Sequence, residues 1–250
     1  MKVVSYGQRS RRWGALMFIM LIKAYIIFAT NWVAGSNLSK QITDPFFNGE
    51  KVSPADGFKD KFIYFFSLEF GGFLLLYVMP LVSLPRVVAE HAYNSNFKPE
   101  FMILTVTVGG LLGILSNIFV TRKIDFRRKP FLVVHGLLMI GFMTAGLYVV
   151  SFNEVLAYIL FALSGFAMYS QYPVYLNYPY ELPKMNSQKL TIMFDMSWAF
   201  GYATYTIFNF VWSLVLNHMG YTSSIWFYLL GSTPYIIFVF TFPETRPKKK

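Results

Sequence analysis

Glu69 is the residue whose type and position most call for a chemical explanation. It lies near the middle of an apolar run, residues 62–83, just ahead of the pair Gly71-Gly72. A charged side chain in hydrocarbon costs about 2.5–3.5 kcal/mol on insertion scales, so it faces a cavity or a partner. Two readings stand level: a carboxylate that couples protons or binds substrate, or one held by a neighbouring Ser, Tyr or Lys for structure alone. On the first reading the paired glycines loosen the helix and open backbone groups to a cavity. Lys23, in the middle of the apolar run 13–34, could bind an anionic solute or pair with Glu69. A snorkelling lysine on a lipid-facing helix takes precedence there. Gln171, Tyr172, Tyr175, Trp198, Tyr202 and Asn209 place amphipathic side chains on two further apolar runs, where they could line a binding cavity. Tyr178 and Tyr180 fit the aromatic belt at a membrane interface better.

A second constellation is ionic. Residues 121–130, Thr-Arg-Lys-Ile-Asp-Phe-Arg-Arg-Lys-Pro, hold the cations Arg122, Lys123, Arg127, Arg128 and Lys129 against one carboxylate, Asp125. Glu181 and Asp195 lie near the ends of neighbouring apolar runs and could pair with Arg122, Arg127 or Arg128, closing that side of the molecule. Interfacial solvation competes equally, and Asp195 also suits the first turn of a helix, where the dipole favours a carboxylate.

Other chemistry finds no foothold. His91, His135 and His218 stand alone, with no second ligand at helical spacing, and there is no cysteine. Metal, haem, disulfide and thiolate sites are therefore not expected, and no cofactor is implied. Phosphate loops and Ser/His/Asp constellations are absent, so an enzyme is not expected.

The elements that must position these residues are membrane helices. Of the 250 residues 55% are hydrophobic and 20% aromatic, and only 14% are charged, against about a quarter in soluble domains. Apolar runs of span length recur at 13–34, 62–83, 101–120, 130–151, 154–180, 194–217 and 222–242, each about the 20 residues a helix needs to cross a bilayer. Strand-type alternation is missing, and open strands cannot satisfy their backbone in lipid. The expected fold is an all-α polytopic membrane bundle. Gly109 and Gly113 form a GxxxG pair; close packing between helices is favoured over a dimer contact. Pro173 and Pro179 would bend the 154–180 helix.

The formal charge of +10 is spread in short blocks beside apolar runs, as orientation signals are. Nucleic acid is not an expected partner; the lipid bilayer is. Residues 121–130, 183–193 and 244–250 are each basic and are separated by two spans, so all three belong inside, with the C-terminus cytoplasmic and residues 84–100 an outward loop. The basic N-terminus, with Lys2, Arg9, Arg11 and Arg12, also belongs inside and conflicts with seven spans. Residues 35–61 read as a solvated connector.

From about residue 62 to 247 the chain resembles one six-helix half of a major facilitator superfamily transporter. The basic loop, preceded by Gly109-Gly110-Leu111-Leu112-Gly113 and Asn117, is similar to the family's loop between the second and third helices of a half. The usual acidic-then-Arg pair is missing: Thr121 stands where an Asp is expected and Asp125 comes later, which favours the second half. Tyr172-Pro173-Val174-Tyr175 through Tyr180-Glu181-Leu182-Pro183 resembles the fourth-to-fifth helix passage. Phe242-Pro243-Glu244-Thr245-Arg246 resembles the exit of the last helix.

The resemblance implies a layout of 1–34 as a basic end and first apolar helix, 35–61 as connector, 62–243 as a six-helix bundle and 244–250 as a basic tail. It implies a multi-pass protein of the cell membrane that moves a small solute by alternating access, with proton coupling a possibility at Glu69. A site formed between two halves implies a second half-transporter or a second copy, so the chain would be a truncation, a split gene product or a half-size transporter. A seven-helix receptor and a non-transporting membrane subunit are the competing functions.

Overall fold

The computed structural model describes residues 61–91, 96–123, 126–182 and 187–245. Among them helix is the regular structure throughout and no strand occurs. In chain order they are α1 (Lys61–Val82), α2 (Leu84–His91), α3 (Pro99–Lys123), α4 (Arg128–Val149), α5 (Glu154–Asn177), a 3-10 turn (Tyr178–Glu181) and α6 (Ser187–Thr241). Five of these are long and apolar enough to cross a membrane. The chain is therefore an all-α polytopic bundle. Residues 13–34, nearly all of the 35–61 connector and most of the 244–250 tail lie outside the described residues.

α6 is 55 residues long because it is two helices in line. Gly220 breaks it with φ 81° and ψ 179°, a backbone conformation that side-chain-bearing residues avoid. Segments 187–219 and 221–241 flank it, each long enough to cross about 30 Å of hydrocarbon. The Trp212 indole donates to the Ser224 carbonyl at 3.0 Å across this break, and the Tyr221 hydroxyl donates to Leu147 O at 2.9 Å on α4.

The helices pack as two layers of neighbours. α1 lies along α6, α5 is held between α3 and α4, and α4 also touches α6. α1 is the most deeply buried span, whereas α3 turns Leu104, Leu111, Leu112, Leu115 and Phe119 outward. Outward apolar rows suit hydrocarbon, where burial offers no gain over lipid. Three serine hydroxyls inside the spans are satisfied one turn back: Ser67, Ser197 and Ser232 donate to Ile63 O, Met193 O and Tyr228 O at 2.6–2.7 Å, as lipid favours.

α5 has two unlike seams. Against α3 the backbones almost touch: a Cβ on Gly109 would lie 1.9 Å from Ala162 O, and one on Gly165 would lie 2.1 Å from Val106 O. The GxxxG pair of α3 thus serves close packing within the bundle, and the Asn117 amide donates to the Ser170 carbonyl in the same seam. Against α1 the backbones stay apart and aromatic rings fill the space.

Two local readings change. Residues 84–100 are not merely a loop, since α2 buries Leu84, Val87 and Val88 and exposes an Arg86–Glu90 pair at 2.7 Å. α1 is regular through Gly71 and Gly72 rather than loosened there. These two glycines admit α6: a Cβ on Gly71 would lie 2.6 Å from the Thr204 Cβ, and one on Gly72 would lie 3.1 Å from the Tyr235 amide nitrogen.

Candidate functional site

Glu69 sits at the centre of α1 with no exposed surface. Phe66 and Phe73, one turn before and one turn after, share its helix face. Both rings stack on Tyr175 of α5, with centroids 5.2 and 5.1 Å apart. Phe70 lies parallel to the same tyrosine at 6.1 Å and meets Trp198 edge-on at 5.0 Å. Tyr235, from the second segment of α6, closes the group at 5.3 Å from Phe73 and 5.9 Å from Tyr175.

Within this aromatic core the polar atoms are unequally served. The Tyr235 hydroxyl donates to Gln171 Oε1 at 2.8 Å, and Gln171 Nε2 reaches Met139 Sδ at 3.4 Å. Both Glu69 oxygens and the Tyr175 hydroxyl lack a hydrogen bond. The Tyr175 hydroxyl is nonetheless close enough to the carboxyl to be its hydrogen-bond partner, though not in ordinary bonding geometry. A buried, unserved carboxylate is costly, so this group holds chemical potential that packing alone does not use.

The sequence-selected cavity residues divide. Gln171 and Tyr175 are fully buried beside Glu69. Trp198 is half-buried and stacks on Tyr202 at 5.6 Å, and Tyr202 keeps 47% of its surface exposed. Tyr77 stacks on Tyr172 at 5.5 Å and accepts from the Tyr169 hydroxyl at 3.3 Å, so a ladder of rings leads from Glu69 along the α1–α5 seam. Asn209 accepts from the Ser83 hydroxyl at 3.5 Å where α1 ends. Lys23 lies outside the described residues.

The ionic constellation gathers at the end of the bundle where α4 starts. Arg128 grips Glu181 with two nitrogens, Nη2 at 2.8 Å and Nε at 3.1 Å, and both side chains are largely enclosed, at 12% and 18% exposure. The Thr245 hydroxyl donates to the second Glu181 oxygen at 2.7 Å. Glu244 accepts the Arg128 backbone N–H at 2.9 Å and lies 3.4 Å from Arg127 Nε. A residue 116 positions away thus caps α4, which has no side-chain cap of its own; a carboxylate suits a helix start. The Tyr178 hydroxyl donates to Pro243 O, and Arg128 lies 4.9 Å over the Phe126 ring.

Arg128 and Glu181 therefore meet as their charges suggest, while Arg127 pairs with Glu244 instead. Asp195 is exposed on the first segment of α6 and makes no ion pair with Arg127 or Arg128. The side chains of Arg122 and Lys123 lie outside the described set, as does Asp125. Sequence reasoning missed Glu244, Thr245 and Tyr235 as partners. The first two were visible in the Pro-Glu-Thr exit; nothing singles out Tyr235 among 17 tyrosines.

A family model described as "Mycoplasma MFS transporter" matches residues 10–217 of the chain. Two uncharacterized proteins of Mesomycoplasma hyopneumoniae, from strains J and 232, are each 25% identical to it over 221 residues, which is 81% of this chain and 44% of theirs. The chain spans less than half the length of these relatives.

Proposed function

The chain belongs to the Mycoplasma MFS transporter family, and from that premise we propose that it is a secondary transporter, or one half of one, moving a small solute by alternating access. The observation that carries the reading is Glu69, a carboxyl group without a hydrogen bond of ordinary geometry, buried at the middle of a span on the face where Phe66 and Phe73 meet Tyr175. Such a group gains most when a proton or a solute reaches it, so its charge state is a natural lever for coupling. At the ring-filled seam the spacing is set by side chains, whereas at the glycine seam behind α5 it is set by backbone contact.

The Arg128–Glu181–Thr245 cluster fits a latch in this scheme. It ties the start of α4 to the ends of α5 and α6, and its release would free that end of the bundle to part. We place this end at the cytoplasm, in the cell membrane, by the positive-inside rule. The other half of the solute path would come from a second half-transporter or a second copy, because sites of this kind form between two repeats near the midplane. The receptor and scaffold readings have no comparable support.

A panel of labelled solutes offered to proteoliposomes under an imposed proton gradient tests the reading. The expected result is gradient-driven accumulation of at least one solute, abolished in Glu69→Gln although the variant still inserts. Accumulation unchanged in the variant would reduce Glu69 to a structural residue. For orientation, labelling of a cysteine at Thr121 from outside the cell would overturn the topology.

A further inference from the structure

We propose that the Glu69 site takes a weakly hydrated organic cation, an ammonium group carrying alkyl substituents. The inference rests on the transporter reading above and names its solute class. Three features of the site converge on this chemistry.

The first is charge. Glu69 brings one carboxylate into the aromatic core, and among the described residues no cation is paired with it. Among the described residues the titratable groups near enough to feel it are phenols, Tyr175 of α5, Tyr178 of the 3-10 turn and Tyr235 of α6. No cation among the described residues stands there to receive an anionic solute.

The second is the wall. Phe66 and Phe73 share the helix face of Glu69, and their rings meet those of Tyr175 and Tyr235, with the contacts of this group at 5.1–5.9 Å. A cation over such a ring gains about 0.5–2 kcal/mol, and several rings with one carboxylate form the recognition pattern for substituted ammonium groups. A small metal ion is poorly served, since it demands about six or more oxygen ligands and the core offers a carboxyl and one unused phenol. A neutral polyol is also poorly served, because the Gln171 amide already serves Tyr235 and Met139.

The third is room. α1 and α5 meet here through rings rather than through apposed backbones, so a solute entering the seam would displace buried side chains and not main chain. The ladder of Tyr172, Tyr77 and Tyr169 continues the same ring surface toward the other end of the seam.

The test uses the full chain in lipid nanodiscs, with choline and its uncharged carbon isostere 3,3-dimethylbutan-1-ol as probes, followed by tetramethyl- to tetrabutylammonium and by benzoate. At least one ammonium probe should bind, and the isostere should bind at least tenfold more weakly than choline. Glu69→Gln should weaken the best ammonium probe at least tenfold and Phe73→Leu severalfold, while Glu69→Asp, which keeps the charge, should retain most of it. Thermal unfolding of each variant establishes that it is folded. Equal binding of choline and the isostere, preference for benzoate, undiminished binding by a folded Glu69→Gln variant, or no binding of any ammonium probe overturns the inference. Gradient-driven accumulation of an anion or a neutral solute would leave the transporter reading standing and sink this one. Glu69-dependent ammonium binding with no accumulation of any solute would do the reverse.

Discussion

Replacing Arg128 with Ala should loosen the basic end of the bundle by a measurable and bounded amount. The guanidinium makes a two-pronged contact with Glu181 at 2.8 and 3.1 Å, with each side chain less than a fifth exposed. Exposed ion pairs contribute about 0.2–1 kcal/mol and breaking a fully buried pair costs about 3–5 kcal/mol. This pair lies between those limits, and a loss of about 2 kcal/mol is expected, close to one charge-assisted hydrogen bond of about 1.5–3 kcal/mol. At about 1.4 kcal/mol per tenfold, local opening should become roughly 30 times more frequent. Hydrogen exchange reads this directly. The Leu182 amide donates to Pro179 O at 3.3 Å inside the 3-10 turn. Peptides covering 178–182 should therefore lose protection by the same factor, about 30-fold. A cycle with Glu181→Ala and the double variant isolates the pair. Strictly additive effects, or protection unchanged in Arg128→Ala, would refute the latch. The exposed Arg86–Glu90 pair is the control, and Arg86→Ala should leave 178–182 untouched.

Four further outcomes are expected. Gly165→Leu should prevent a native fold in detergent, because even its Cβ would lie 2.1 Å from Val106 O; overpacking of about 1–3 kcal/mol or more should appear as early thermal unfolding, while Gly141→Ala, which meets nothing within 4 Å, should be silent. Gln171→Leu strands the Tyr235 hydroxyl and should cost about 1–3 kcal/mol in thermal stability, most of it recovered by adding Tyr235→Phe. Gly220→Ala should destabilise the α6 break, by about 1–2 kcal/mol for a left-handed residue with a Cβ, read by thermal unfolding. At α2, the hydrogen bond from Arg86 holds the Glu90 carboxyl below its ordinary range; a depressed carboxylate stabilises the folded form above its unfolded pKa and loses that as pH falls through the folded value. Exchange protection of 84–91 should therefore be full at neutral pH and decline on acidification below the ordinary carboxylate range, and Glu90→Gln should abolish this pH response.

The helices were legible because hydropathy over about twenty residues is a strong signal. Residues 62–83 became Lys61–Val82, and 154–180 became Glu154–Asn177 with its 3-10 turn. Pro173 is accommodated inside α5, whereas Pro179 marks the switch from α-helix to 3-10 turn. α2 was not legible, since eight residues with two charges and a proline carry too little hydropathy to stand out. At the site, Glu69 was visible as a carboxylate in an apolar run, and the Arg128–Glu181 contact was visible as opposite charges at neighbouring helix ends. Asp195 had the same charge and a similar position, yet it pairs with neither Arg127 nor Arg128; charge and chain position alone do not choose between two carboxylates. The same limit hid Tyr235: its value comes from reaching Gln171 and Glu69 across three helices, and no local pattern records that.

The contrast between the two sides of α5 also governs how this protein can change its sequence. Where glycine meets carbonyl oxygen, nearly every substitution inserts atoms into occupied space, so that flank is frozen. On the other flank the spacing is set by the thickness of side chains, and exchanging one ring for another alters the lining while the frame stays in place. If the solute site proposed at Glu69 holds, new specificities are to be sought, by selection in nature or by a library in the laboratory, at positions 66, 73, 172 and 235, with 109, 113 and 165 held constant.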